Sequence, residues 1–165
     1  MTRPRGPSSR INQQNETRLL AEWIAVRHPT DDVRQHVFVG PTMTGFGDVE
    51  IDPVSFRMLG VRRRWVDAVI LYPDRTELVE AKIVPDVIAI AQLTLYKRLF
   101  PQTDEFRDRS TMPVSLRILS AVVDPILSTM IAEAGINEEL FHPSWVDDYL
   151  NTKLPNKRKV PAMGK

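Results

Sequence analysis

Two adjacent segments of high β propensity, Trp65 to Tyr72 and Glu77 to Val84, carry charges where buried strands are expected to be wholly apolar. The first holds Asp67 among Val66, Ala68, Val69, Ile70 and Leu71; the second holds Glu80 and Lys82 among Leu78, Val79, Ala81 and Ile83. Burying three charges without partners is unfavourable by several kcal/mol, so the chain must expose this hairpin or compensate its charge. An exposed edge hairpin would reduce Glu80 and Lys82 to surface decoration. Leu78, Val84, Val69 and Leu71 share their face and argue for burial instead.

Pro73-Asp74-Arg75 has the chemistry of a hairpin turn. With Tyr72 to Arg75 as the turn, Leu71 pairs with Thr76, and counting outwards brings Asp67 opposite Glu80, about 5 Å away at Cβ. Glu80 and Lys82 share a face because strand side chains alternate. A register shift of two keeps all three groups together, and only an odd slip separates them. Carboxylates that close need a proton or a cation between them. Hard oxygen ligands suit Mg2+ or Mn2+, which retain waters that a phosphate can displace. Lys82 beside them would position the attacking water and neutralise charge building on the phosphate. These parts suffice for phosphodiester hydrolysis.

The periodicity predicts a helix from Asn12 to Arg27 with Leu19, Leu20, Trp23 and Ile24 as its apolar stripe. Glu16 lies near the centre of that stripe and Glu22 points away, so Glu16 is the acid expected to face the protein. Val33 to Val39 reads as a strand with Val33, Gln35, Val37 and Val39 on one side. Pro41 to Gly60 is turn-rich and reads as a hairpin or a mobile loop. Asp86 to Phe100 reads as a helix capped near Asp86, stopped by Pro101, and apolar enough around its circumference to be nearly buried over a sheet. Pro113 to Val123 gives another strand, Pro125 to Ala134 a short helix ending at Gly135, and Ser144 caps a last helix to about Leu150. Residues 1–11 read as a flexible arm, 12–150 as one domain, and 151–165 as a basic, proline-containing tail.

An Asp on one strand, Glu-x-Lys on the next, and a helix carrying Gln92-Leu93-Thr94-Leu95-Tyr96 together resemble the PD-(D/E)XK nuclease superfamily, closest to its branch with a Gln-x-x-x-Tyr helix motif. Val66 stands where the motif's Pro would be. The resemblance covers roughly Asn12 to Val123. It implies an α/β fold with a restriction-endonuclease-like αβββαβ core, a mixed sheet flanked by helices. It further implies that Asp67, Glu80 and the Ala81 main-chain carbonyl bind the metal, that Lys82 is the catalytic lysine, and that Glu16 is the acid donated by the first helix. Gln92 and Tyr96, four apart on one helical face, correspond to the family's helix pair.

The chain has 165 residues, 42% hydrophobic and 26% charged, and no cysteine, which excludes disulfides, thiolate zinc sites and cysteine nucleophiles. Its apolar runs are too short to span a membrane, so a cytoplasmic protein is expected, or one in the host cytoplasm or virion if phage-encoded. A net charge of +1 does not announce a nucleic-acid binder, yet Arg62, Arg63 and Arg64 precede the Asp67 strand and could grip a phosphate backbone. His28, His36 and His142 lack metal-ligand spacing and read as structural. Gly45-Phe46-Gly47 lacks the Lys-Ser/Thr of a phosphate loop and no Gly-x-Ser-x-Gly occurs, so nucleotide triphosphatase and serine hydrolase readings drop out. Two classes remain. The first is a Mg2+- or Mn2+-dependent nuclease acting on DNA. The second is a non-catalytic protein of the same fold serving in a virion or other assembly, its arms ordered by protein partners or by a second copy of the chain.

Overall fold

The structure, a computed structural model, describes residues 7–41 and 65–153. Gly45 to Asp48, most of the turn-rich stretch after Pro41, Arg62 to Arg64 and the tail from Leu154 onward lie outside the described residues. Among those described, the elements in chain order are α1 (Pro7–Arg27), β1 (Asp32–Phe38), β2 (Trp65–Leu71), β3 (Thr76–Lys82), α2 (Val87–Leu99), two short 3-10 turns, β4 (Val114–Ser120), α3 (Pro125–Glu133), β5 (Asn137–Leu140) and α4 (Trp145–Lys153).

The strands form one five-stranded mixed sheet in the order β1-β2-β3-β4-β5, so the fold is α/β with helices on both faces. β2 runs antiparallel to both β1 and β3, whereas β4 joins β3 and β5 joins β4 in parallel. The parallel joins follow from the connections: α2 returns the chain between β3 and β4, and α3 does so between β4 and β5. Leu93, Phe100, Leu78, Leu116, Ile118 and Ile131 build the core under α2 and α3. Leu19, Trp23, Ile70, Val79, Leu119 and Val146 build the opposite one under α1 and α4. Each fully buried aliphatic side chain contributes about 1.5–3 kcal/mol, which makes these two layers the main source of stability.

The hairpin forms in the expected register. Tyr72 N–H donates to the Arg75 carbonyl at 3.0 Å and Leu71 pairs with Thr76. Asp86 caps α2 by accepting from Ala89 N–H at 2.8 Å, and Pro101 ends the α-helical run, as the sequence predicts.

Several expectations differ from the structure. α1 begins at Pro7, inside the segment read as a flexible arm, because Pro is tolerated in the first helical turn. α2 is buried only through Ala89, Leu93 and Tyr96, while Val87, Ile88 and Leu95 are exposed. The helix packs on the sheet with one side, and among the described residues no second layer covers its outer side. β3 stops at Lys82, which leaves Val84 exposed rather than on the buried face. The four-residue β5 is an addition to the elements that the sequence pattern predicts.

β1 does not keep one alternation. Val33 packs toward the α1 side, whereas Val37 and Val39 belong to the α2 side. The cause is His36, whose φ of 54° lies in the left-handed region and turns the strand. β2 turns with it, so Ala68 faces α1 while Val66 faces α2.

β5 is tied in by charge. Arg117 on β4 reaches Glu77 on β3 at 3.1 Å and also pairs with Glu139 on β5, which accepts from Trp23 Nε1 at 2.9 Å. The Glu77 side chain is 3% exposed, so Arg117→Ala would strand a buried carboxylate. Urea denaturation of that variant should show a loss of about 3 kcal/mol. Among the described residues no helix is long and apolar enough to cross a membrane.

Candidate active site

Glu80 and Lys82 lie on β3, an interior strand with β2 on one side and β4 on the other. Glu80 is 4% exposed, which rules out the surface-decoration reading. Lys82 Nζ donates to Glu80 Oε1 at 3.0 Å and lies 3.9 Å from Glu16 Oε2 on α1. Asp67 joins them by a local break in the sheet. Bonded pairing of β2 with β3 ends at Ala68 and Val79, and in place of the next rung Ala81 N–H donates to Asp67 Oδ2 at 2.9 Å. The Asp67 carboxylate is thereby fixed against the backbone between Glu80 and Lys82. Simple alternation is not what brings it there.

The electrostatics follow from burial. Desolvation foremost, with the Asp67 charge behind it, pushes Glu80 up to about 8 despite the Lys82 ammonium. Burial likewise raises Glu16 to about 7, opposed by Lys82 and reinforced by Asp67 and Asp86. Asp67 is raised by burial too, against the pull of the Ala81 N–H and Lys82. For Lys82, burial works against the ammonium, but Glu80, Glu16 and Asp67 outweigh it and hold it charged.

Tyr96 is buried on α2, hydrogen-bonded by Gln92, and raised to about 12 by burial and by the charges of Glu80 and Asp67. Gln92 and Tyr96 therefore stand beside the acid cluster.

Three carboxylates around one ammonium leave two negative charges uncompensated when all are ionised. Either protons or a divalent cation can remove them. Among the described residues no three or more His, Asp or Glu side chains are grouped so as to hold a metal ion by themselves. A hard ion such as Mg2+ does not require one, since it takes one or two carboxylates and fills its remaining positions with water and substrate oxygens. Glu80 Oε2 is buried without a hydrogen-bond partner among the described residues, an orphan acceptor that such a cation would satisfy. The donor set therefore fits Mg2+ or Mn2+.

Ala81 is buried, pairs with Leu119, and gives its N–H to Asp67.

Two neighbours of this site were not singled out from the sequence as part of it. Ser120 pairs with Lys82 across β3 and β4, fully buried, its hydroxyl without a partner among the described residues. A serine at the end of an apolar strand was the available signal. His36 faces Asp67 across β1 and β2, between the bonded pairs Gln35 with Ala68 and Val37 with Val66. The other two histidines have partners that the sequence did not reveal: His28 contacts Asp31 at 2.7 Å, and His142 contacts the Ala121 carbonyl at 2.6 Å and Asp147 at 3.0 Å.

No family model, characterised protein or solved structure matches this chain. The residues alone carry the functional reading.

Proposed function

We propose that the chain is a divalent-metal-dependent nuclease of restriction-endonuclease-like, PD-(D/E)XK type that hydrolyses DNA phosphodiester bonds. The observation that supports this best is the Asp67 carboxylate accepting from Ala81 N–H, which fixes a second acid beside Glu80 and Lys82, so that with Glu16 three carboxyl groups meet one ammonium.

Asp67 and Glu80, with the Ala81 carbonyl, would hold Mg2+ or Mn2+. When bound, that ion supplies the positive charge that polarises a phosphoryl group. Lys82 is an ammonium at neutral pH, so it acts as a donor: it orients the attacking water and offsets negative charge on the phosphoryl oxygens. Glu16 holds Lys82 from the α1 side and limits where its Nζ can swing. Gln92 and Tyr96 line the α2 side, where the phenol stays protonated and can donate to substrate. Arg62 to Arg64 would meet the phosphate backbone and add a salt-dependent share of affinity.

Incubation with supercoiled, linear and branched DNA over a Mg2+ or Mn2+ titration tests the proposal. Nicking or cutting that disappears with EDTA and in Lys82→Ala is expected. No cleavage of any form, with assembly unimpaired in Asp67→Ala and Glu80→Ala, would favour the non-catalytic assembly protein instead.

A further inference from the structure

Among the described residues β1 is an edge strand, and its backbone departs from regular geometry at His36, at a φ of 54°. A non-glycine residue in that region is uncommon and carries strain of the order of 1 kcal/mol, so it persists only where the surroundings hold it. What holds it here is aromatic. The imidazole lies parallel to the Trp65 indole, ring centres 4.6 Å apart and planes 8° from each other. Phe38 meets the same indole edge-on, at 5.5 Å and 73°. His36 itself is exposed and belongs to neither core, so this stack is not explained by core packing. It stands directly across from Asp67, one strand away from the acid cluster.

A flat, exposed ring braced from behind by an indole is a surface on which another flat ring can stack. In duplex DNA both faces of each base are covered by its neighbours, so only an unstacked base could use it. A phosphate held at Asp67 and Glu80 would leave its flanking nucleotide near β1.

We propose that the exposed face of His36, backed by Trp65, is a stacking platform for an unpaired nucleobase beside the scissile phosphate, and that the preferred substrate has single-stranded character at the cut. This rests on the nuclease reading for the phosphate's position.

Binding without turnover tests it. The full chain is titrated in EDTA with a fluorescently labelled oligothymidylate and with a duplex of the same length, and anisotropy is read for wild type, His36→Gly, His36→Asn and His36→Phe. Gly and Asn both tolerate positive φ and neither carries a ring, so equal melting temperatures separate a binding loss from misfolding.

The expected result is single-strand affinity about tenfold weaker in His36→Gly and His36→Asn, recovered in His36→Phe, with duplex affinity unchanged. Wild-type single-strand affinity in both the Gly and Asn variants, or no single-strand binding by wild type, overturns the platform. Loss of single-strand binding in a protein that cleaves nothing would retain the platform and remove the nuclease reading. Lys82-dependent cleavage indifferent to strandedness and to His36 would do the reverse.

Discussion

Glu80→Gln is expected to abolish DNA cleavage, by about a thousandfold or more, and at the same time to stabilise the metal-free protein above pH 8. The two effects share one origin. Glu80 is 4% exposed and its carboxyl is raised to about 8, mainly by desolvation, so ionising it inside the fold is unfavourable. Glutamine keeps the shape of the protonated acid and removes that cost, on the order of a few kcal/mol once the wild-type group is ionised. Lys82 would not be left alone, since Glu16 and Asp67 still surround it. An ordinary stabilising ion pair behaves in the opposite way: losing Glu80 would destabilise the fold by about 3–5 kcal/mol. Thermal melts at pH 9 in EDTA, run beside the cleavage assay, distinguish the two.

Stability of the metal-free protein should fall as pH rises from about 4.5 to 8, and Mg2+ should reverse the fall. Glu16 and Glu80 are both raised from 4.5, to about 7 and about 8, so in that window the folded state binds more protons than the unfolded chain. The stabilisation from these groups is fully present below about pH 4.5. It is lost as pH climbs through 7 for Glu16 and through 8 for Glu80. With both groups titrating, the slope approaches about 2.7 kcal/mol per pH unit, and the total amounts to several kcal/mol. Other carboxylates oppose this at the acid end: Glu22 and Asp32 are lowered by their hydrogen bonds and favour the fold as they ionise. A divalent cation needs ionised ligands, so at a hundredfold excess over its dissociation constant it should add about 2.7 kcal/mol. Its effect should be much larger at pH 8 than at pH 5. Chemical denaturation across that range, with and without Mg2+, reads both trends.

The hairpin was legible because its register is set by turn length alone. Once Pro73 and Asp74 occupy the turn, Leu71 must meet Thr76, and the register runs out as counted as far as Ala68 with Val79, one rung short of the opposition expected for Asp67 and Glu80. Helical periodicity turns Glu16 toward Lys82 as expected, but Glu22, read as pointing away, accepts from Trp145 Nε1 on α4 at 2.9 Å, because α4 covers that side of α1. The turn at His36 is not legible, because neither glycine nor asparagine marks the left-handed residue, and strict alternation puts Val33 and Val37 on one face instead of two. β5 escaped because it is four residues long and two are glutamates. Glu139 reads as surface charge until Arg117, Trp23 and Arg27 are brought around it from two other elements. Burial of α2 was overestimated because apolar composition states what a helix can cover and not whether a partner lies outside it. The seat of Asp67 against Ala81 N–H could not be counted from alternation, since it depends on where two strands stop pairing.

Whether Asp67 and Glu80 share a divalent cation is read from electron paramagnetic resonance of Mn2+ titrated into wild type, Asp67→Asn and Glu80→Gln at pH 8. Wild type is expected to remove free Mn2+ from the spectrum at one or two sites, and each substitution to release it. Equal Mn2+ binding in all three proteins, or none in wild type, would contradict it.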